Sequence, residues 1–415
     1  MEAAAKRARA GGDRLSALPD ELLRGVLAFL PSRQAVQTTV LSKRWVELWR
    51  SVPAINLDLT DFRDPSLPLP SQKDWERMKE FTTDLLMFHD AECLDACQLK
   101  LYPSYCPQSA LDWHDVERWI RRFIKYHPMV LKISVIRHMH TPFRIPGPSF
   151  TCRRLKRLEL IGLHLDHSFT ERLNSGCPVL EDLVLKNCHN EFGAIQSHTL
   201  KNLVVFHCES QVADMLVIKA PCLASLCLEF PHHSYKNGLS LEAGNSLASA
   251  SISIQSDELS PRIEAIILGS LFNVTSLELE QCSAMAMLDK ELDEFPTFDN
   301  LRTLSLDYCL LGEYDVHKFK ALGRFLQKTP NLEKLTLKNL EVLPFVGPVE
   351  YATFENLRTL FLDECDLSDN FRLLRHCLRR SPNLEKLTVR LCKSQKFLWE
   401  GKERPSRGRH LCFVT

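Results

Sequence analysis

The chain has 415 residues, 45% hydrophobic and 25% charged, a globular balance that excludes wholesale disorder, a collagen-like rod and a membrane bundle. Its 52 Lys and Arg are matched by 52 Asp and Glu, so no global field draws it to nucleic acid or to a membrane surface, and neither is expected as a partner. Its 15 cysteines are odd in number and irregular in spacing, and no secretory signal pattern opens the chain, so reduced thiols in the nucleus and/or cytoplasm are expected.

Residues 1–12 read as a basic Ala/Gly tail carrying Lys6, Arg7 and Arg9. From 13 to 53 the periodicity predicts three short helices. Pro19, Asp20 and Glu21 open the first, with proline at the first helical position and acids where the helix dipole favours them; Leu22, Leu23, Val26, Leu27 and Leu30 are its apolar residues. Pro31-Ser32 breaks it and is expected to cap a second helix with Ala35, Val36 and Val40. Ser42 is expected to cap the third, in which Trp45, Leu48 and Trp49 share a face. A module this small usually gains stability from a partner. It is therefore either an end cap or a docking surface.

Residues 54–90 read as a connector and first cap. Pro65, Pro68 and Pro70 make the stretch from Asp61 to Ser71 a semi-rigid spacer, and helical patterns follow at Phe81/Leu85/Phe88 and Trp113/Val116/Ile120/Phe123.

From 91 to 392 the chain repeats itself. Asn300-Leu301-Arg302-Thr303-Leu304-Ser305-Leu306-Asp307 returns as Asn356-Leu357-Arg358-Thr359-Leu360-Phe361-Leu362-Asp363, and Pro330-Asn331-Leu332-Glu333-Lys334-Leu335-Thr336-Leu337 as Pro382-Asn383-Leu384-Glu385-Lys386-Leu387-Thr388-Val389. Both contain the word Leu-x-x-Leu-x-Leu. Further copies begin at Leu155, Leu180, Leu200, Leu223 and Val274, with degenerate ones at Leu247/Ala250/Ile252, Val130/Ile133/Val135 and Leu94/Cys97/Leu99. On a strand the last two leucines point to one face and the residue between them to the other. One such strand cannot bury itself, but stacked neighbours can. The fold class is therefore α/β: a small all-α module followed by an irregular leucine-rich solenoid with a parallel concave sheet, and helices or irregular turns outside. Helices are expected at Val316/Phe319/Leu322/Leu326 behind Asp315, and at Phe371/Leu374/Leu378 behind Ser368 and Asp369. The concave face should carry Glu159, Val184, Cys227, Glu278, Ser305, Thr336, Phe361 and Thr388, a mixture that suits a protein surface better than a phosphate backbone.

Residues 393–415 read as a basic tail, with Phe397, Leu398 and Trp399 available to close the array. Covalent chemistry finds little support. Cys188-His189, His207-Cys208 and His376-Cys377 lack a third orienting group. Cys309, Cys365 and Cys392 follow strand words at one common offset, which predicts burial in a turn. No Cys-x-x-Cys or phosphate-binding loop occurs, and Cys93/Cys97/Cys106 and His138/His140 lack zinc-site spacing, so no metal or other cofactor is expected.

The words Leu18-Pro19-Asp20-Glu21-Leu22-Leu23, Phe29-Leu30-Pro31, Leu41-Ser42-Lys43-Arg44-Trp45 and Leu48-Trp49, in that order, resemble an F-box of the kind found in plant F-box/leucine-rich-repeat proteins. The resemblance implies a non-catalytic substrate-recognition subunit of an SCF ubiquitin ligase. Its F-box would bind a Skp-type adaptor, and through it a cullin, while the repeats hold an unknown target protein. It would place Leu18, Pro19, Leu22, Leu23, Leu41, Ser42 and Trp45 at the adaptor. The alternatives are a non-ligase repeat scaffold and a small-molecule-gated receptor using the same concave surface.

Overall fold

A computed structural model describes residues 15, 17–67, 70–102, 113–136, 151–210, 212–231, 234–254, 261–282, 295–309, 324–340, 353–367, 372–392 and 410–414. The chain divides into two compact units, Met1–Leu165 with Glu171–Leu180 and Asp166–Thr170 with Glu181–Thr415. Val316, Phe319 and Leu322 of the helix expected behind Asp315, the caps Ser368 and Asp369, Phe371, and the closing residues Phe397, Leu398 and Trp399 lie outside the described residues, as do Cys106, His138, His140, the N-terminal basic tail and residues 393–409 of the C-terminal one; Leu326 is helical and buried.

The first unit opens with helices α1 (Asp20–Leu27), α2 (Ser32–Gln37) and α3 (Lys43–Arg50), a short 3-10 turn at Thr38–Val40 joining the last two. Leu23, Leu27, Ala35, Trp45, Leu48 and Val52 form their core, with Leu18, Leu30 and Trp49 against it. Ser42 stands at the N-cap of α3 but makes no side-chain bond to the helix. Ser32 is the first residue of α2 rather than its cap; its Oγ instead accepts the Asn56 N–H at 2.8 Å. Arg44 closes the module from outside, donating through Nε to Asp20 at 2.8 Å and through Nη2 to the Leu18 carbonyl at 2.6 Å.

Strand β1 (Ala54–Asp58) follows almost at once and begins a parallel sheet with β2 (Ala96–Leu101), β3 (Val130–Val135) and β4 (Arg157–Ile161). The sheet thus starts before the proline-bearing stretch, which links β1 to a helix within the first repeat instead of joining two modules. That helix, α4 (Gln72–Phe88), opens on a reciprocal Ser71–Asp74 capping box. It buries Trp75, Met78, Thr82 and Leu85, so the inward stripe is rotated from the predicted one and Phe88 faces solvent. Helix α5 (Trp113–Lys125) buries Val116, Trp119, Ile120 and Phe123, and Trp75 meets Trp119 at 5.5 Å. In β3 the buried pair equivalent to Leu158 and Leu160 is Leu131 and Ile133, two residues before the predicted word. A shift of two keeps the same face inward, which is why the degenerate sequence allowed it.

The second unit carries strands β5 (Asp182–Lys186), β6 (Asn202–Phe206), β7 (Ser225–Phe230), β8 (Ser249–Ile254), β9 (Ser276–Glu280), β10 (Thr303–Asp307), β11 (Lys334–Lys338), β12 (Thr359–Asp363), β13 (Lys386–Arg390) and β14 (His410–Val414). Each pairs in parallel with the next. The leucines of each word lie side by side and buried, as with Leu277, Leu304 and Leu335, and each contributes roughly 1.5–3 kcal/mol through burial. The outer layer includes α6 (Pro261–Gly269) and α7 (Arg372–Arg380). Where repeats are shorter, strands at Ala194–Gln196, Leu216–Lys219 and Leu239–Glu242 form a second parallel sheet in place of helices. Strand β14 lies inside the stretch read as a basic tail.

A left-handed residue follows β5, β6 and each strand from β9 to β13: Asn187, His207, Gln281, Tyr308, Asn339, Glu364 and Leu391 all have φ near 50°. Directly after six of these seven stands a cysteine, namely Cys188, Cys208, Cys282, Cys309, Cys365 and Cys392. Cys309 Sγ lies 3.3 Å from the carbonyls of both Asp307 and Leu279, and Cys365 Sγ 3.4 Å from those of Asp363 and Leu337.

Candidate partner-binding surfaces

Helices α1 and α3 pack against one another, and α3 against the 3-10 turn. Their inward faces complete a core, while several apolar side chains on these helices and the turns beside them stay exposed. Leu22 is 57% exposed, Phe29 89%, Val40 86% and Leu41 59%, with Val26 and Val46 also at the surface. So many exposed aliphatic and aromatic side chains in so short a segment mark a surface shaped for contact. Of the residues the resemblance assigned to an adaptor, Pro19, Leu22, Leu41 and Ser42 are exposed and Leu18 is half-buried. Leu23 and Trp45 are interior and fill the core, so they support this surface rather than form it. Val26, Phe29, Val40 and Val46 were missed. On a helical wheel with Leu23 and Leu27 inward, Val26 falls on the flank of the buried stripe, so helical spacing alone does not mark it as exposed.

The module is bonded to the first repeat. Asp90 N–H donates to the Arg50 carbonyl at 2.9 Å, the Arg50 guanidinium pairs with the Asp90 carboxylate at 2.7 Å, and Asp95 N–H donates to the Pro53 carbonyl at 2.7 Å. His89 is buried and its ring Nε2 lies 3.0 Å from the Val52 carbonyl. Burial pushes the His89 imidazole below its ordinary pKa, partly offset by that bond.

On the sheet, the residues between paired leucines form rows. In the first unit Asn56, Gln98, Lys132 and Glu159 are neighbours in register. In the second, Val184, Val204, Cys227, Ser251, Glu278, Ser305, Thr336, Phe361 and Thr388 follow one another strand by strand. All eight predicted face residues occupy such rows. Val204 and Ser251 were missed, although their words carry the same offset. Val184 and Thr336 are buried, whereas Glu278 is exposed.

Charges flank the second row. Lys338 sits 3.7 Å from Asp307 and 4.0 Å from Glu278, and Asn339 donates to Asp307 at 2.7 Å. Arg390 binds the Asp363 carboxylate through two nitrogens and holds its pKa below the usual range. His207 lies 2.6 Å from Glu229, whose pKa burial raises. Cys188, Cys208 and Cys377, the cysteines beside histidines, are buried, and burial pushes Cys377 up to about 12. Among the described residues no group of three or more His, Cys, Asp or Glu could hold a metal ion, and no helix is long and apolar enough to cross a membrane.

Residues 15–55 match the F-box domain family, and residues 118–247 match the leucine-rich repeats of the FBD-associated F-box protein At5g56370. The chain is 35% identical to the MEIOTIC F-BOX protein MOF of Oryza sativa subsp. japonica, over 81% of this chain and 72% of that protein. The chain belongs to the plant F-box/leucine-rich-repeat family. It is also 32% identical to the putative FBD-associated F-box protein At5g56440 of Arabidopsis thaliana, over 72% of this chain and 71% of that one. With the F-box/LRR-repeat protein 13 of the same plant it shares 27% identity across 94% of its own length and 93% of the relative's. F-box/leucine-rich-repeat proteins generally act as substrate adaptors of SCF ubiquitin ligases, and they are typically non-catalytic.

Proposed function

We propose that this F-box/leucine-rich-repeat protein is the substrate-recognition subunit of an SCF ubiquitin ligase, acting in the nucleus and/or cytoplasm. Its F-box binds a Skp-type adaptor, and through it a cullin, while its sheet faces hold a target protein. The observation that carries this reading is the division of labour within α1 to α3. Leu23, Leu27, Trp45 and Leu48 already close a core, yet Leu22, Phe29, Val40 and Leu41 remain exposed. An end cap for the repeats would have no use for that second apolar surface.

The work is positioning. A target held on the repeats gains a high effective concentration beside a ubiquitin carrier held by the rest of the ligase, and no nucleophile of this chain is required. The bonds from Arg50, Val52 and Pro53 to the first repeat support this role, because they fix the F-box to the start of the array instead of leaving it on a tether.

The test is co-purification of the full-length chain with a Skp-type adaptor. Leu22→Asp combined with Val40→Asp should abolish capture while leaving the circular dichroism spectrum and melting transition in place. Retained capture by that folded double variant would overturn the assignment of the surface. Failure of the unaltered chain to bind, where another F-box protein binds, would favour the scaffold reading.

A further inference from the structure

The row of cysteines that ends the strands is uniform except at one place. Cys188, Cys208, Cys282, Cys309 and Cys365 are buried, whereas Cys392 is partly open to solvent. Strands β12 and β13 pair with Asp363 opposite Arg390, and the register continues into their turns. Glu364 N–H donates to the Arg390 carbonyl at 2.9 Å, and Glu364 and Leu391 share a left-handed backbone with φ of 52° and 51°. Cys365 and Cys392 are therefore the next opposed pair. Neighbouring strands run ~4.8 Å apart, inside the range of Cα separations that a disulfide spans.

Both thiols take the same orientation. Cys365 Sγ lies 3.4 Å from the Asp363 carbonyl and Cys392 Sγ 3.3 Å from that of Arg390. The arrangement is one of an accessible sulfur with a sheltered one beside it, the geometry of an attacking cysteine and its resolving partner.

We propose that Cys392 and Cys365 form a peroxide-responsive disulfide site in this chain. In the first step the Cys392 thiolate attacks hydrogen peroxide. A sulfur–oxygen bond forms, the oxygen–oxygen bond breaks, and hydroxide leaves to take up a proton as water. In the second step the Cys365 sulfur attacks the Cys392 sulfenic acid. A sulfur–sulfur bond forms, the sulfur–oxygen bond breaks, and the second hydroxide leaves with the Cys365 proton. Two thiols are oxidised by two electrons in all, and one peroxide is reduced to two waters.

Electrostatics supports the direction of attack. Hydrogen bonding from Cys365 lowers the Cys392 pKa to about 7, and the same contact, with burial, pushes the Cys365 thiol up. The more acidic of the two thiols is therefore the one open to solvent. The resulting bond would staple β12 to β13, and it depends on no assumption about ligase function.

The experiment treats the reduced full-length protein with graded hydrogen peroxide, alkylates the remaining thiols, and maps them by mass spectrometry. Before oxidation Cys392 should alkylate at pH 7 roughly tenfold faster than Cys93 and Cys222, which are more exposed. After oxidation a peptide linking Cys365 to Cys392 should accumulate, and it should vanish on reduction. In Cys365→Ser the sulfenic acid on Cys392 should persist and be trapped by dimedone. The wild-type alkylation rates stand even if that variant folds poorly. The proposal is overturned if Cys392 reacts no faster than Cys93 and Cys222, or if peroxide drives it to sulfinic acid while Cys365 remains a free thiol.

Discussion

His89 and Val52 are joined across the seam between the F-box and the first repeat: the imidazole donates its Nε2 hydrogen to the Val52 carbonyl at 3.0 Å. Nδ1 is then the lone-pair nitrogen, and it has no hydrogen-bond partner among the described residues. The ring borders a small cavity lined also by Leu27, Ser32, Trp49 and Ile55. A protonated imidazole would carry its charge and a second N–H into that largely apolar lining, so burial favours the neutral ring.

The sign of the pH response follows. The folded pKa lies below the ordinary value of about 6.5 for an exposed histidine, so unfolding takes up a proton at mildly acidic pH. The contribution of neutral His89 is fully present above about pH 6.5. It declines as pH falls toward the depressed folded value, with a slope of at most ~1.4 kcal/mol per pH unit. Urea midpoints of the wild type and His89→Gln, compared between pH 7.5 and 5, should differ by that slope. Parallel curves would remove His89 from the acid response.

Leu22 and Leu23 are adjacent in α1, and the ~100° step between them leaves one at the surface and the other inside, so truncating them should have different consequences. Leu23 is fully buried in the F-box core, so Leu23→Ala should cost about 2–5 kcal/mol of local stability, through lost transfer energy and the cavity left behind. Leu22 is exposed, and Leu22→Ala should change stability by less than ~0.5 kcal/mol while weakening adaptor capture. Hydrogen exchange of the α1 amides reads the first effect and co-purification the second.

The sequence made the repeat visible because the packing that needs Leu-x-x-Leu-x-Leu leaves no freedom at the inward positions. Leu304 and Leu306 are indispensable to two neighbours each, and the word is consequently intact there. The first strands were harder to read. Val52, Ile55 and Leu57 make a degenerate repeat word, but its leading residue also belongs to the F-box core, so β1 looked like the start of a connector. The F-box helices were legible from proline and apolar spacing, but their inward and outward residues were not. Both sides of α1 are apolar, and only the position of α3 decides that Leu23 goes in and Leu22 stays out. The outer strands near Ile218 were hidden for another reason: a spacer too short for a helix leaves the backbone to pair with its neighbours instead.

Gly162 ends β4 with φ of 70°, and a Cβ built there would lie 2.0 Å from the Val135 carbonyl oxygen. Backbone rather than a movable side chain is in the way. Gly162→Ala should therefore destabilise the first unit by more than the ~1–3 kcal/mol of left-handed strain alone. Asn187 stands at the same point after β5 with φ of 50° and a residue type that tolerates it. Asn187→Gly should be nearly neutral. Thermal melts of the two variants, side by side, separate steric collision from backbone preference.

Asn300 donates through Nδ2 to the Asn273 side-chain oxygen at 3.0 Å, and Asn273 donates in turn to that of Asn245 at 2.8 Å. These exposed amides link three successive repeats beside the starts of the strands. Asn273 both accepts and donates, so Asn273→Ala removes two bonds and Asn300→Ala one. Each exposed bond is worth ~0.5–1.5 kcal/mol at most, and the central substitution should cost about twice the terminal one. Asn273→Asp can still accept from Asn300 but cannot donate to Asn245, so it should fall between the two. Urea titrations followed by hydrogen exchange in β8 to β10 would test this order. Equal losses from Asn273→Ala and Asn300→Ala would mean that the amides do not act as a connected ladder.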